Sequence, residues 1–148
     1  MTNIESKHGT VSRQPYELYM SMTDLQNFAR MLPPDKKDMV KADYDTLTAT
    51  VQGFEIGVKV HERVPYSRIE LVDYGAPFAF HIVLHFEPAA QDPYKTDFWI
   101  SAQADLNIMM KMMLSGKIQE ALDKVVDGLV DASEGRMPEG FDPSQWAR

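Results

Sequence analysis

The spacing of apolar residues along the chain changes from helical to alternating and back to helical. In the last third, Met110, Leu114, Ile118, Ala121, Leu122, Val125, Leu129 and Ala132 recur at three- and four-residue steps. That spacing lays one broad apolar stripe along an amphipathic helix. Asp123, Lys124, Asp127 and Asp131 fall on the other side. Asp105 or Asn107 caps the start, and Gly135 closes the end in a left-handed conformation. The body from Asn107 to Glu134 would span about 42 Å. A helix of that length needs a large apolar partner, and the middle of the chain supplies one. Phe54, Ile56, Val58 and Val60 alternate with Glu55, Gly57, Lys59 and His61. Ile69 and Leu71 point inward from a short strand over Arg68 to Asp73. Phe78, Phe80, Ile82, Leu84 and Phe86 alternate with Ala79, His81, Val83 and His85, and Phe98, Ile100 and Ala102 share a face of the strand Lys95 to Ala104. A period of two marks half-buried strands.

The turns between these strands are short. Gly53 reads as a tight hairpin, Pro65-Tyr66-Ser67 and Gly75-Ala76-Pro77 as further turns, and Pro88 to Pro93 as a loop. Ala42 to Gln52, rich in Thr, Tyr and Val, reads as one more strand. Asp35 to Asp38 reads as a charged loop or short edge piece. Before it, Pro15 opens a short helix through Tyr16, Leu18, Tyr19 and Met22. Thr23 or Asp24 caps a second through Leu25, Phe28, Ala29 and Met31, which Leu32-Pro33-Pro34 ends. Ile4 to Arg13 reads as a first strand, with Gly9 marking a bulge or a close backbone contact. The expected fold is α+β: a curved antiparallel sheet of about six to seven strands, two short helices after the first strand, and a long C-terminal helix gripped by the sheet. One domain covers residues 1–148, with its core over about 4–134 and an irregular tail over 135–148, where Phe141 and Trp146 could anchor.

Composition narrows the function. There are 148 residues, 44% hydrophobic and 10% aromatic, with no cysteine and a net charge of −7. The missing cysteines exclude disulfide and thiolate chemistry. The acidic balance, without a basic stripe, disfavours nucleic acid and docking on anionic membranes. No run reaches the roughly 18 apolar residues of a membrane span. Residues Met1 to Gly9 carry no apolar leader segment, so the expected compartment is the cytoplasm. His8, His61, His81 and His85 are too scattered for a metal motif, and no cofactor is expected. His81 and His85 share the strand face opposite Phe80 and Leu84, where a solvated role outweighs a metal. Asp43, Asp45 and Asp97 read as solvent-facing strand residues. Tyr16, Tyr19 and Tyr44 could offer hydroxyls to a ligand, though packing is the more common role. No nucleophile triad or phosphate loop stands out, so the chemistry of an enzyme is left uncertain.

The order of elements, with Pro15-Tyr16-Glu17-Leu18-Tyr19, Met22-Thr23-Asp24-Leu25-Gln26-Asn27-Phe28 and Leu32-Pro33, resembles the helix-grip fold of the START-like (SRPBCC) superfamily, in its small bacterial branch. Val51-Gln52-Gly53-Phe54 and Glu62-Arg63-Val64-Pro65 carry the likeness further. It covers about Ile4 to Ala132. The resemblance implies a cavity between the sheet and the last helix, often used for apolar ligands. A fold of this kind hosts many functions. The residues expected to line the site are Phe28, Phe54, Ile56, Val58, Ile69, Phe78, Phe80, Ile82, Leu84, Phe98, Ile100, Met109, Met110, Met113 and Leu114.

Met109, Met110, Met112 and Met113 put methionine on more than one helix face, as ordinary core filling or as a deformable cavity wall. Lys111 falls near the middle of the stripe, so either the helix phase shifts at Gly116 or Lys111 points at a pocket. The partner expected first is an apolar or amphipathic small molecule, lipid or polyketide-like. The rivals are a polyketide aromatase/cyclase or dehydratase, and a protein-interaction module using an exposed Trp99 on the outer sheet face. The chain is expected as a monomer or homodimer, with no integral membrane segment.

Overall fold

The computed structural model describes residues 1–30, 38–51 and 53–135. The positions expected to end the second helix, the charged segment before Asp38, Gln52 and the tail after Gly135 lie outside the described residues. The chain opens on two short strands, β1 (Thr2–Glu5) and β2 (Gly9–Val11), followed by helices α1 (Pro15–Met22) and α2 (Gln26–Arg30). Six further strands come next: β3 (Val40–Ala42), β4 (Thr46–Val51), β5 (Phe54–Val64), β6 (Arg68–Asp73), β7 (Phe80–Ala89) and β8 (Asp92–Ala104). Helix α3 (Ile108–Ser133) closes the order. The eight strands form one curved antiparallel sheet in the order β1-β8-β7-β6-β5-β4-β3, with β2 also on β8. β1 and β3 end that order, so the sheet stays open.

Three departures from the sequence reading have identifiable causes. The first strand is two strands, because Ser6 leaves the ladder. Its amide donates to the Ile100 carbonyl at 2.8 Å, and its buried hydroxyl accepts from the Ile100 amide at 2.8 Å, so both polar groups stay satisfied. The segment read as one strand from Ala42 is β3 and β4. The Asp43 carboxylate accepts from the Asp45 and Thr46 amides and the Thr46 hydroxyl, turning the chain between them. The loop expected over Pro88 to Pro93 is mostly strand: β7 runs to Ala89 and β8 starts at Asp92. On its β6 side β7 is paired as far as His85, with one further bond from the Phe86 amide to the Ser67 carbonyl, so the missing amide of Pro88 leaves no gap in that ladder.

The core sits at one end of the sheet. Val11, Leu18, Tyr19, Met22, Leu25, Ile69, Leu71, Leu84, Phe86, Phe98, Ile100 and Val126 pack into it. Tyr19, Phe86 and Phe98 form a chain of ring contacts, with centroids 6.0 and 5.4 Å apart. Helix α3 reaches this core through its second half. Gly9 lets it approach: a Cβ there would lie 2.6 Å from a Val126 methyl and 2.8 Å from a Val130 methyl. The side-chain amide of Gln119 donates to the Glu5 carbonyl, the Lys7 amide to Asp123, and the Ser12 amide to the Ser133 hydroxyl. The Lys7 ammonium pairs with Asp127 at 2.5 Å, which raises its pKa. So α3 runs beside β1 and β2 along one border of the sheet.

Asn107 is the N-cap, its side chain accepting from the Met110 amide at 2.8 Å, and Gly135 follows the helix at φ +79°. The buried face of the second half is Leu122, Val126, Leu129 and Val130, which keeps Leu122 and Leu129 of the predicted line and adds Val126 and Val130. Ala121, Val125 and Ala132 are exposed. The predicted stripe drifted because alanine and valine fit either face by spacing alone. Lys111 is exposed.

Candidate functional site

Strand alternation divides the sheet into an inner and an outer face. Across the inner face, Val60, Leu71, Ile82, Ala102 and Ile4 form one row, and Arg63, Ile69, Leu84 and Ile100 the next. A bulge between Val60 and Glu62 brings Arg63 inward. Leu47 pairs with Val58, and Ala49 with Ile56.

These positions separate into two groups. Ile69, Leu84, Phe98 and Ile100 are packed out by α1 and the second half of α3, and Phe80 is also buried. They serve the core. Ile56, Val58, Phe78 and Ile82 are only half-buried, as are Leu47 and Val60. The backbone of α3 makes its closest approach to β1, β2 and β8. Leu47, Val58, Val60 and Ile82 pack, partly buried, against the margin of the core, and the first half of α3 also carries a partly buried face. Met110, Leu114 and Ile118 are the half-buried residues there, at four-residue steps that put them on one face. Phe28 of α2 is half-buried against the core. Met109 and Met113, expected in the site, are exposed instead. The Phe54 side chain lies outside the described part of the structure. Leu47, Val60 and Ile118 were not among the expected lining residues. Leu47 stands in the alternation of Leu47, Ala49 and Val51, which was the signal available for it.

These partly buried positions are apolar. On the inward rows of β5 to β8 the ionisable residues are Arg63 and Asp73, and both are engaged. Asp73 accepts from the Phe80 amide at 3.1 Å. Arg63 donates to the Thr23 hydroxyl at 2.6 Å, the Thr23 carbonyl at 2.8 Å, the Tyr44 carbonyl at 3.1 Å and the Asp45 carboxylate at 2.7 Å. Its guanidinium also lies 4.4 Å from the Tyr44 ring centroid. Arg63 thereby ties the α1–α2 turn to the start of β4.

The outer face gathers the four histidines. Trp99, expected exposed, is sandwiched between His8 and His85, with ring centroids 4.4 and 4.5 Å away and nearly parallel planes. His8 bonds Asp97 at 3.1 Å, and His85 bonds the Ser101 hydroxyl at 2.8 Å. His81 meets the Glu70 carboxylate, which also accepts from Arg68, and these contacts lower the Glu70 pKa, Arg68 first. The His61 ring stands edge-on to His81. Among the described residues, no three ionisable side chains are grouped to hold a metal ion. An open cleft of about 430 Å³ lies at the β7–β8 hairpin, beside Thr10, Ala89, Ala90, Gln91, Asp92, Lys95 and Asp97. It shares no residue with these apolar positions.

Burial holds the His85 imidazole below its ordinary value of 6.5. As the pH drops below about 6.5 the unfolded chain takes up this proton before the folded one, so stability falls on acidification. Urea midpoints should drop between pH 7.5 and 5.5, and His85→Phe, which keeps a ring on Trp99, should flatten that part of the slope. An unchanged slope in His85→Phe would assign the acid sensitivity elsewhere.

The same arrangement of sheet and helices recurs in solved structures. The XoxI protein from Bacillus cereus superposes with a TM-score of 0.72 at 8% identity, over 90% of this chain and 96% of that one. A START superfamily protein from Mycobacterium smegmatis gives a TM-score of 0.60 at 15% identity, over 88% and 97%. The chain has a START-like fold. DynU16, a protein of the dynemicin biosynthetic locus, shares the START-like fold at a TM-score of 0.67 and 12% identity, over 95% of this chain and 50% of that one. Compared with protein-family models and with curated protein sequences, the chain matches none. Among the described residues, no helix of this START-like chain is long and apolar enough to cross a membrane.

Proposed function

We propose that the chain binds an apolar or amphipathic small molecule, lipid or polyketide-like, in the groove between the inner sheet face and the first half of α3. One observation carries this reading. Leu47, Val58, Val60 and Ile82 share the concave face and are only partly buried against the core, and the closest backbone contacts of α3 are with β1, β2 and β8. Apolar surface held open on the inside of a fold is what a small-molecule site presents. The recurrence of the fold in a START superfamily protein and in a protein of a biosynthetic locus is in keeping with a ligand-binding fold. Binding is favoured over cyclase or dehydratase chemistry by the commitment of Arg63 and Asp73 to protein partners, which leaves no free acid–base pair on the inward rows of β5 to β8 among the described residues. The interaction-module reading loses its main support, since both faces of the Trp99 ring are covered.

A fluorescent fatty-acid probe should bind saturably, near one per chain, and be displaced by apolar competitors. Ile82→Trp should fill the groove and reduce probe affinity at least tenfold while the melting temperature stays within a few degrees. Val83→Trp, on the outer face, should leave affinity unchanged. Had Ile82 been in solid core, overpacking would cost about 1–3 kcal/mol. Unaltered probe binding in folded Ile82→Trp would remove the groove as the site.

A further inference from the structure

The outward face of the first turns of α3 is apolar where a solvated helix would be polar. Ile108, Met109, Met112 and Met113 are spaced one and four residues apart and share that face. They are 81%, 70%, 82% and 63% exposed. Met110, Leu114 and Ile118 occupy the opposite, half-buried face. At 3.6 residues per turn, Lys111 and Lys117 fall on the two seams between these faces, and both are exposed. No carboxylate occurs between Asp105 and Glu120, although the whole chain carries −7. The helix start is therefore a local patch of cationic and apolar groups on an acidic protein. The net charge weighs against anionic membranes only when the charges are spread evenly, and here they are not.

We propose that this face docks on the surface of an anionic lipid bilayer. Ile108, Met109, Met112 and Met113 sink into the boundary between headgroups and acyl chains, and the helix lies in the plane of the interface. Lys111 and Lys117 lay their alkyl stems along the apolar face and reach the lipid phosphates. Charge decides between this occupant and a second copy of the chain. Two copies meeting on this face would bring four lysines together without a carboxylate from the same segment to meet them. Phosphates supply that counter-charge.

The dock is distinct from the groove ligand, and its test needs none. In flotation assays the full chain should bind vesicles of equal phosphatidylcholine and phosphatidylserine saturably, and bind pure phosphatidylcholine far more weakly. Met112→Ser with Met113→Ser should weaken vesicle binding more than tenfold. Both side chains are exposed, so the melting temperature should hold within about 2 °C. Lys111→Gln and Lys117→Gln should each weaken binding about fivefold, the equivalent of about 1 kcal/mol per basic residue at an anionic surface. Lys95→Gln, near the other end of β8, should change it less than twofold. Ile82→Trp should keep full vesicle binding even where it blocks the groove. The proposal is overturned if the chain ignores the mixed vesicles, if Lys95→Gln weakens binding as much as Lys111→Gln, or if sedimentation shows a dimer that the paired methionine substitutions dissolve.

Discussion

Gly57→Val is expected to lower stability by roughly 3–5 kcal/mol, at the upper end for a single substitution. Gly57 lies in β5, where an added Cβ would come 1.9 Å from the Tyr74 carbonyl oxygen and 3.0 Å from its carbon. The same stretch of backbone is held in place by the Tyr74 amide, which donates to the Gly57 carbonyl at 2.9 Å. The obstacle is main chain, so no change of rotamer relieves it. The end of β6, where Asp73 pairs with Val58, has to come away. At about 2–4 °C per kcal/mol the melting temperature falls by about 10 °C. Gly53→Ala is the control. Its φ is +81° with nothing within 4 Å of a Cβ, so it carries only a left-handed penalty of about 1–2 kcal/mol. Urea unfolding ranks the two. A Gly57→Val protein no less stable than Gly53→Ala would mean that Tyr74 does not approach β5 so closely.

Arg63→Ala is expected to cost about 2–4 kcal/mol and to weaken probe binding as well. Arg63 links Thr23, Tyr44 and Asp45 from one inward position. Its loss leaves the carbonyl of the buried Thr23 short of a donor, while the Tyr44 carbonyl keeps the Leu25 amide. Lysine should not rescue it, because a single ammonium cannot reproduce the planar fork that serves three residues at once. The α1–α2 turn would loosen, and with it the α2 segment that carries Phe28. Thermal unfolding of Arg63→Ala and Arg63→Lys reads the first effect and probe titration the second. If Arg63→Lys is as stable as the parent, the fork geometry is not what matters here.

Legibility in the sequence followed how local the cause of each feature was. The sheet strands with clean alternation, the capped long helix and the turns at Tyr66 and Gly75 all have their causes within a few residues, and each was predicted in place. The break at Ser6 has a distant cause, the Ile100 backbone, and no local pattern reports it. The Asp43 turn was readable in principle, since an Asp followed by a Thr three residues on is a turn-forming pair, but the β-rich composition around it argued for one strand. The site was only half legible. Alternation put Val58 and Ile82 on the inner face, but it could not tell which inner residues α1 and α3 would cover. That depends on α3 running beside β1 and β2, a consequence of the close approach at Gly9. Gly9 was predicted as a bulge or a close backbone contact, and its partners Val126 and Val130 could not be named from spacing. The exposure of Met109 and Met113 follows from the same placement of the helix.

The groove is tested most directly by methyl NMR of the Ile, Leu and Val side chains during titration with a saturated fatty acid. The account predicts saturable shifts at Leu47, Val58, Val60, Ile82, Leu114 and Ile118, while Val11, Ile69 and Val126 in the packed core stay in place. Shifts absent at saturating ligand, or confined to residues outside the groove, would contradict it.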